Sequence, residues 1–223
     1  MASLVLILKS KLILDRFLDF HTFNFKSYQM RSFLLFIFFS VFIIGCSQPK
    51  YKYPHVVIET KSGDIELELY ADKAPKSVAA FLKNVDAGVY QNATFYRVLN
   101  EENQPSDAFK ATLIQGGRWR TKPKNSKPIP VIPHETTQQT GILHKDGVIS
   151  FAREEPGTAT TEFFICIGEQ PGFDYGGGNN PDKQGYAAFG KVVKGMDIVR
   201  TIYRRPENGQ AFDPPVPIFN ITR

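Results

Sequence analysis

The sequence predicts an all-β domain, a closed antiparallel barrel with a helix at each end. Short runs rich in branched and aromatic residues recur from His55 to the C-terminus, and residues 64–70 alternate acidic and apolar side chains. Polar turns rich in glycine and proline separate these runs. Only two segments, after Pro75 and after Gly195, show helical spacing of apolar residues. Many short strands with two helices favour a barrel over a parallel sheet or a helix bundle.

The first elements are a hairpin and a helix. Residues 55–60 and 64–70 form two strands around the turn Lys61-Ser62-Gly63, with one face apolar and the other acidic. Pro75 is suited to a first helical turn, where its missing N–H has no partner to lose, and Gly88 ends the helix. Apolar residues at helical spacing predict that this helix packs on the sheet.

The next strand, residues 94–99, carries Arg97 in the middle of an aromatic and branched run. Arginine is rarely buried without a partner, so Arg97 either forms a structural ion pair or lines a wet cleft as a fixed set of donors. A second strand, residues 113–117, follows. Residues 118–141 show no period, and a loop of that length is either a surface excursion or a functional wall.

The remaining elements alternate with polar turns. They are predicted strands at 147–152, 162–168, 185–193 and 216–222, with a short helix at 195–202.

Composition excludes several functions. Of the 223 residues, 27 are basic and 22 acidic, but five basic and two acidic residues precede Cys46, so the remainder carries a net charge of only +2. That charge predicts no nucleic-acid partner. Two distant cysteines and four isolated histidines provide no zinc-type spacing, and we expect neither a metal nor a cofactor.

Residues 30–46 have the anatomy of a secretory signal: a basic start, an apolar run from Phe33 and a small residue before Cys46. Gly45-Cys46 resembles the lipobox of bacterial lipoproteins, which implies lipidation at Cys46 and attachment on the periplasmic side, with Ser47 favouring the outer membrane. The alternative is an uncleaved anchor helix. Residues 1–29 are interpreted as a mis-assigned extension before the true start at Met30, residues 47–54 as a linker, and residues 55–223 as the domain.

Five stretches together resemble cyclophilin-type peptidyl-prolyl isomerases, and they occur in the family's order. They are Phe95-Tyr96-Arg97-Val98, Gln115-Gly116-Gly117, the segment from Gly147 to Ala152, Glu162-Phe163-Phe164-Ile165 and the segment from Ala188 to Asp197. The resemblance implies an eight-stranded barrel and prolyl isomerase activity on unfolded or proline-containing polypeptides. We expect a monomer.

By this resemblance, Arg97 is the catalytic donor and Gln115 holds the substrate backbone. The proline pocket and its surroundings are assigned to Leu113, Thr112, Ala152, Arg153, Glu162, Phe164, Phe173 and Tyr186. From the residues alone, the apolar run around Phe164 favours a core residue, and the alternatives for Gln115 and Tyr186 are a turn residue and an ordinary strand aromatic.

Three positions depart from the family pattern. Thr112 stands where a pocket phenylalanine is usual, so an aromatic wall is expected to be lost, and Arg153 replaces an asparagine. Glu162 replaces a glutamine and is expected to form an ion pair with Arg97 or Arg153. The departures leave two alternatives: an isomerase that assists exported proteins, or a weakly active peptide-binding module or holdase on the same fold. No tryptophan occurs near Phe173, which implies weak cyclosporin binding.

Overall fold

The computed structural model describes residues 51–121 and 128–223. The strands in this part are β1 (His55–Thr60), β2 (Gly63–Leu69), β3 (Ala93–Leu99), β4 (Leu113–Gly117), β5 (Val148–Phe151), β6 (Phe163–Cys166), β7 (Ala187–Lys194), β8 (Glu207–Asn208) and β9 (Ala211–Thr222). The helices are α1 (Pro75–Asp86), α2 (Thr137–Thr140) and α3 (Met196–Tyr203), and a 3₁₀ turn spans Pro171–Phe173.

Eight of these strands form a closed barrel. The order is β1-β2-β7-β5-β6-β4-β3-β9, and β9 pairs with β1 to close the ring. Every pairing is antiparallel. The two-residue strand β8 lies outside the ring, against β9. The predicted barrel is confirmed.

Buried side chains fill the interior of the barrel and form its hydrophobic core. Phe81 of α1 packs against the rings of Tyr90, Phe151, Phe163 and Phe189 at centroid distances of 5.1 to 6.1 Å. Helix α3 buries Val199 and Ile202. Since a fully buried large apolar side chain stabilises by about 1.5 to 3 kcal/mol, these aromatic residues dominate the packing of the domain.

The first turn of α1 is capped from a distance. Ala74 at its N-cap provides no side-chain hydrogen bond. The carboxylate of Glu135 instead accepts from the backbone N–H groups of Lys76 (3.2 Å) and Ser77 (2.7 Å) and from the Ser77 hydroxyl (2.7 Å). A carboxylate at this end of a helix also interacts favourably with the helix dipole. The end of the long segment 118–141 therefore fixes α1 against the barrel.

Helix α2 was not predicted from the sequence. It is one turn long, and its start is a capping box in which Thr136 and Gln139 bond reciprocally to each other's backbone. Gly141 ends it with φ of 69°. A four-residue helix is too short to show an apolar period, so only the caps could have indicated it.

A β-bulge in β3 determines the direction of Arg97. Phe95 pairs with Gly116 and Arg97 with Gln115, so Tyr96 is an extra residue on its strand. Phe95 and Val98 both lie in the barrel core, although strict alternation would send residues three apart to opposite faces. The bulge lets Phe95 point inward and Arg97 outward. Bulges often redirect a side chain in this way beside active sites.

The predicted signal at 30–46, the lipidation site at Cys46 and the extension 1–29 lie outside the described residues. Of the linker 47–54, residues 51–54 are described, and the Pro54 carbonyl already accepts from Leu69 N–H at 2.9 Å. In the described part of the chain, no helix has the length and apolar character needed to cross a bilayer.

Candidate active site

Strand register brings Arg97, Gln115 and Phe164 into one row on the outside of the barrel. Arg97 pairs with Gln115 across β3 and β4, and Gln115 pairs with Phe164 across β4 and β6. Residues directly opposite each other in an antiparallel pair point to the same face. The inward positions between them are taken by core residues such as Ile114 and Phe163, so the row faces outward.

The Arg97 guanidinium is held by two amide side chains. Its Nε and Nη2 donate to Gln210 Oε1 at 3.1 and 2.6 Å, and its Nη1 donates to Gln115 Oε1 at 3.1 Å. Among the described residues, no carboxylate forms an ion pair with Arg97. The side chain is half-buried, so its orientation is fixed while its charge is not neutralised.

Gln115 is oriented in turn by Tyr96, the bulge residue. Gln115 Nε2 donates to the Tyr96 hydroxyl at 2.9 Å. Burial raises the pKa of the Tyr96 hydroxyl, which keeps it protonated at neutral pH. The amide therefore presents Oε1 to Arg97 and Nε2 to Tyr96, with no freedom to flip without losing both bonds.

A cavity of about 450 Å³ opens beside Arg97, with apolar side chains on one side and charged and amide side chains on the other. Leu113, Phe164 and Phe173 are each more than 95% buried in its floor and walls. The rings of Phe164, Phe173 and Tyr186 meet edge to face at centroid distances of 5.1 to 5.3 Å. Donors on one side and fixed aromatic walls on the other make a site for a small apolar ring attached to a polar backbone.

The comparisons with known proteins cover the whole domain. A family model described as cyclophilin type peptidyl-prolyl cis-trans isomerase matches residues 55–223. The chain belongs to the cyclophilin family. It is therefore a peptidyl-prolyl cis-trans isomerase, as the curated cyclophilins it matches are.

Two bacterial relatives illustrate the match. Peptidyl-prolyl cis-trans isomerase A of Dickeya dadantii is 35% identical over 149 residues, which covers 66% of this chain and 70% of the relative. Peptidyl-prolyl cis-trans isomerase B of Escherichia coli is 32% identical over 148 residues, covering 66% and 82%. A crystal structure of a Cryptosporidium parvum cyclophilin, solved in the presence of the dipeptide Ala-Pro, shares the fold with a TM-score of 0.59 and 23% identity, over 76% of this chain and 98% of that one.

Arg153 of this cyclophilin braces a loop. Its guanidinium binds both oxygens of Asp182 at 2.7 and 2.9 Å and the Gly185 carbonyl at 2.6 Å, and it lies 5.4 Å from the Tyr186 ring centroid. The hydrogen bonds from Arg153 lower the pKa of the Asp182 carboxyl. Arg153 and Ala152 both line the cavity, and Arg153 also fixes the 168–185 loop that carries Phe173.

Thr112 does not form a wall of this cyclophilin's pocket, which corrects the prediction from the family pattern. Its hydroxyl donates to the Ile167 carbonyl at 2.5 Å and accepts from Gln170 Nε2 at 2.7 Å. Adjacent residues in extended chain point to opposite faces, and Leu113 takes the face toward the cavity. Thr112 is therefore directed to a different surface, beside Tyr203 and Glu207.

Glu162 does not pair with either arginine, so the predicted ion pair is wrong. Its Oε1 accepts from Arg118 N–H at 3.1 Å and from the Thr161 hydroxyl at 2.8 Å, and its carboxylate lies against Gly117, where a Cβ atom would collide with it. Burial raises the pKa of the Glu162 carboxyl. The carboxylate is held by the turn after β4, in a shallow depression next to the cavity that Gln115, Ala152 and Arg153 also line.

Gln210, which holds Arg97, was missed by the sequence analysis, and so were two further groups of residues in this cyclophilin's site. The β3–β4 loop lines the cavity with Gln104, Pro105, Asp107, Ala108 and Phe109, and no period or motif marked it. Behind the pocket, the buried His144 ring stacks on Phe164 at 6.0 Å, with Nδ1 2.7 Å from Asp174 Oδ1 and Nε2 3.1 Å from Ser150 Oγ. In the sequence, His144 was only an isolated histidine.

Proposed function

We propose that the protein is a lipid-anchored prolyl isomerase of the bacterial cell envelope, which assists the folding of exported proteins and uses Arg97 as its catalytic donor. Family membership supports the reaction. The observation that carries the role of Arg97 is its oriented guanidinium, which forms no ion pair within residues 51–121 and 128–223, at the edge of a cavity with aromatic walls.

The chemistry needs no nucleophile. Rotation about an X–Pro bond is slow because amide resonance places a barrier of about 18–20 kcal/mol on it. When the bond twists, the nitrogen lone pair localises and becomes an acceptor, so a donor aimed at the nitrogen stabilises the transition state more than the planar ground state. In this mechanism Arg97 donates to the prolyl nitrogen, Gln115 binds the adjacent backbone, and Phe164, Phe173 and Leu113 enclose the ring. Excluding water strengthens the effect of the charge.

The binding-module alternative depended on two departures from the family pattern. Thr112 was expected to open the pocket and Glu162 to neutralise Arg97. The first residue faces away from the cavity and the second bonds to Arg118 N–H and Thr161. Neither the contacts of Thr112 nor those of Glu162 give a reason for reduced turnover. We therefore favour an active isomerase over a weakly active binding module.

The role of Arg97 is tested with a protease-coupled or NMR exchange assay on an X–Pro peptide. We expect Arg97→Ala to lower kcat/KM by roughly 10²-fold, the loss typical of removing one transition-state donor. Arg223→Ala, which removes an exposed arginine paired with Asp86, is the matched control and should retain full activity. Equal activity of Arg97→Ala and wild type would show that another group supplies the catalysis.

The envelope location rests on the sequence of residues 30–46. We expect mass spectrometry of the mature protein to find an N-terminal lipidated Cys46, and Cys46→Ser to remain uncleaved or to leave the membrane fraction. A mature N-terminus at Met1 or Met30 with an unmodified Cys46 would contradict the lipoprotein assignment.

A further inference from the structure

The loop between β3 and β4, residues 100–112, forms one side of the proline pocket. Gln104 organises it: its Nε2 donates to the carbonyls of Asn100 (2.5 Å) and Ala111 (2.8 Å), and its Oε1 accepts from Ala111 N–H at 3.1 Å. Lys110 Nζ closes the loop on the carbonyls of Gln104 and Pro105, both at 2.8 Å. The loop has a defined conformation that presents residues 104–109 to the cavity.

Phe109 is the aromatic residue of this loop, and it is 63% exposed. It lines the same cavity as Leu113, Phe164 and Phe173. Those three residues are buried, whereas the Phe109 ring remains in contact with water. An exposed aromatic ring that continues a buried aromatic pocket gains the most from a ligand, because ligand binding covers it.

The opposite loop leaves space for this ring. A Cβ atom on Gly178 would collide with the Phe109 ring, and the backbone of Gly178 lies outside the left-handed region that favours glycine. A side chain at position 178 would therefore have to displace the ring, whereas the backbone conformation there does not require glycine. Phe109 and Gly178 bring the 100–112 loop and the 168–185 loop together at the mouth of the pocket.

We infer that Phe109 is a substrate-binding residue that covers the prolyl ring from the solvent side. It supplies the aromatic wall that the sequence pattern assigned to position 112, from a loop instead of a strand. The occupant is the proline of an X–Pro segment, and the inference rests on the proposed function of the cavity as the isomerase site. Gly178 sets the position of the ring.

The test compares kcat and KM of Phe109→Ala with those of wild type, by NMR exchange on an X–Pro peptide. We expect at least a five-fold loss of kcat/KM, carried by KM, with kcat within two-fold, because the wall binds the ring and does not act on the nitrogen. Phe219→Ala, which removes another exposed phenylalanine on β9, should leave both constants unchanged. Unchanged constants for Phe109→Ala, with Arg97→Ala inactive, would overturn the inference.

Gly178 provides a second, independent variant. Gly178→Ala should raise KM by displacing Phe109, and in the Phe109→Ala background it should cause no further loss, because the two changes act through one contact. Gly172→Ala is the matched control in the same loop, since its Cβ would meet nothing closer than 3.7 Å. Additive losses from Phe109→Ala and Gly178→Ala would contradict the contact.

A failure of the catalytic proposal would be recognised separately. If wild type and Arg97→Ala are equally inactive, the same variants are compared by NMR titration with a proline peptide and its Pro→Ala analogue. The inference then predicts a five-fold weaker affinity of Phe109→Ala for the proline peptide only. Equal affinities of wild type and Phe109→Ala would reject it in that case as well.

Discussion

His144, Asp174 and Ser150 form a hydrogen-bonded chain behind the proline pocket. An ionised carboxylate can only accept, so His144 Nδ1 carries a proton toward Asp174, and in the neutral ring Nε2 accepts from the Ser150 hydroxyl. The same three residue types perform acyl transfer elsewhere, but Ser150 is completely buried and no substrate can reach it. The chain instead fixes the ring on which Phe164 stacks and the loop that carries Phe173.

Asp174→Ala tests this positioning role. Asp174 Oδ1 accepts from both the backbone N–H (3.0 Å) and Nδ1 (2.7 Å) of His144. Removing it leaves two buried donors unpaired, and we expect a loss of about 1–3 kcal/mol in the free energy of unfolding. Asp174→Asn retains an acceptor and should recover most of the loss. Urea unfolding measures both, with Asp86→Ala as a surface control, and equal stabilities of the Ala and Asn variants would contradict the role.

Glu162→Gln is expected to change the pH dependence of stability. Because burial raises the pKa of Glu162 above its ordinary value of 4.5, the folded state binds this proton more tightly than the unfolded chain. The resulting contribution is present at pH below about 4.5 and is lost as pH rises through the folded-state pKa. Glutamine keeps the oxygen that accepts from Arg118 and Thr161 and cannot ionise.

The stability of Glu162→Gln relative to wild type should therefore increase between pH 4 and pH 7. Urea midpoints measured across this range check the prediction, and using the difference between the two proteins cancels the titration of all other groups. A difference that stays constant with pH, or falls, would mean that the charged carboxylate is not penalised by its surroundings.

The positions of site residues were predictable where a strand motif carried them. Arg97, Gln115 and Phe164 lie in one row because motif positions on paired strands have a fixed register. Thr112 and Glu162 were misjudged because their neighbours Ile167 and Gly117 come from other strands or from turns. The direction of a side chain at the end of a strand depends on its contacts with such neighbours, and these contacts cannot be predicted from the local sequence.

At the scale of elements, the contact between Glu135 and α1 is the least expected. Helix α1 itself was predictable from Pro75 and its apolar period, whereas its cap comes from a segment 58 residues away in the chain. The bulge at Tyr96 was also not predicted, because the strand contains no glycine or proline to indicate it. Long-range caps and bulges depend on contacts between residues that are distant in the chain, and local sequence patterns do not indicate such contacts.

We expect Glu135→Ala to destabilise the domain by about 1–2 kcal/mol, the usual cost of losing a helix N-cap. The change leaves the N–H groups of Lys76 and Ser77 without their acceptor. Thermal or urea unfolding measures the loss, and Glu155→Ala, an exposed acid whose carboxylate has no such contact, is the control. Identical stabilities for the two variants would show that water replaces the cap at no cost.

At the scale of the whole molecule, Cys166 reports on global unfolding. It is fully buried on β6, and burial raises the pKa of its thiol. A thiol reagent needs an accessible thiolate, so labelling of the native protein should be slow and should accelerate through the urea transition. Peptide mass mapping assigns the label to Cys166. Rapid labelling without denaturant would indicate local opening of the barrel at β6.

The architecture was the most predictable level. Alternation, turn residues and two amphipathic segments are sufficient for a capped barrel, because each of them is a local property repeated along the chain. The family motifs then implied the number of strands. Three parts show no hydrophobic period and were therefore not predicted from the sequence. They are the short strand β8, the short helix α2 and the cavity-lining loop 100–112.

The outward direction of the row formed by Arg97, Gln115 and Phe164 has a consequence for how this sequence can change. Along β4, Ile114 contributes to the core while Leu113 and Gln115 line the cavity, so core packing and cavity shape are encoded at alternating positions of the same strand. Substitutions at the outward positions leave the packing of the inward positions largely unchanged. The pocket can therefore diversify toward new clients on a barrel whose interior stays constant, and loop 100–112 offers the widest room for that variation.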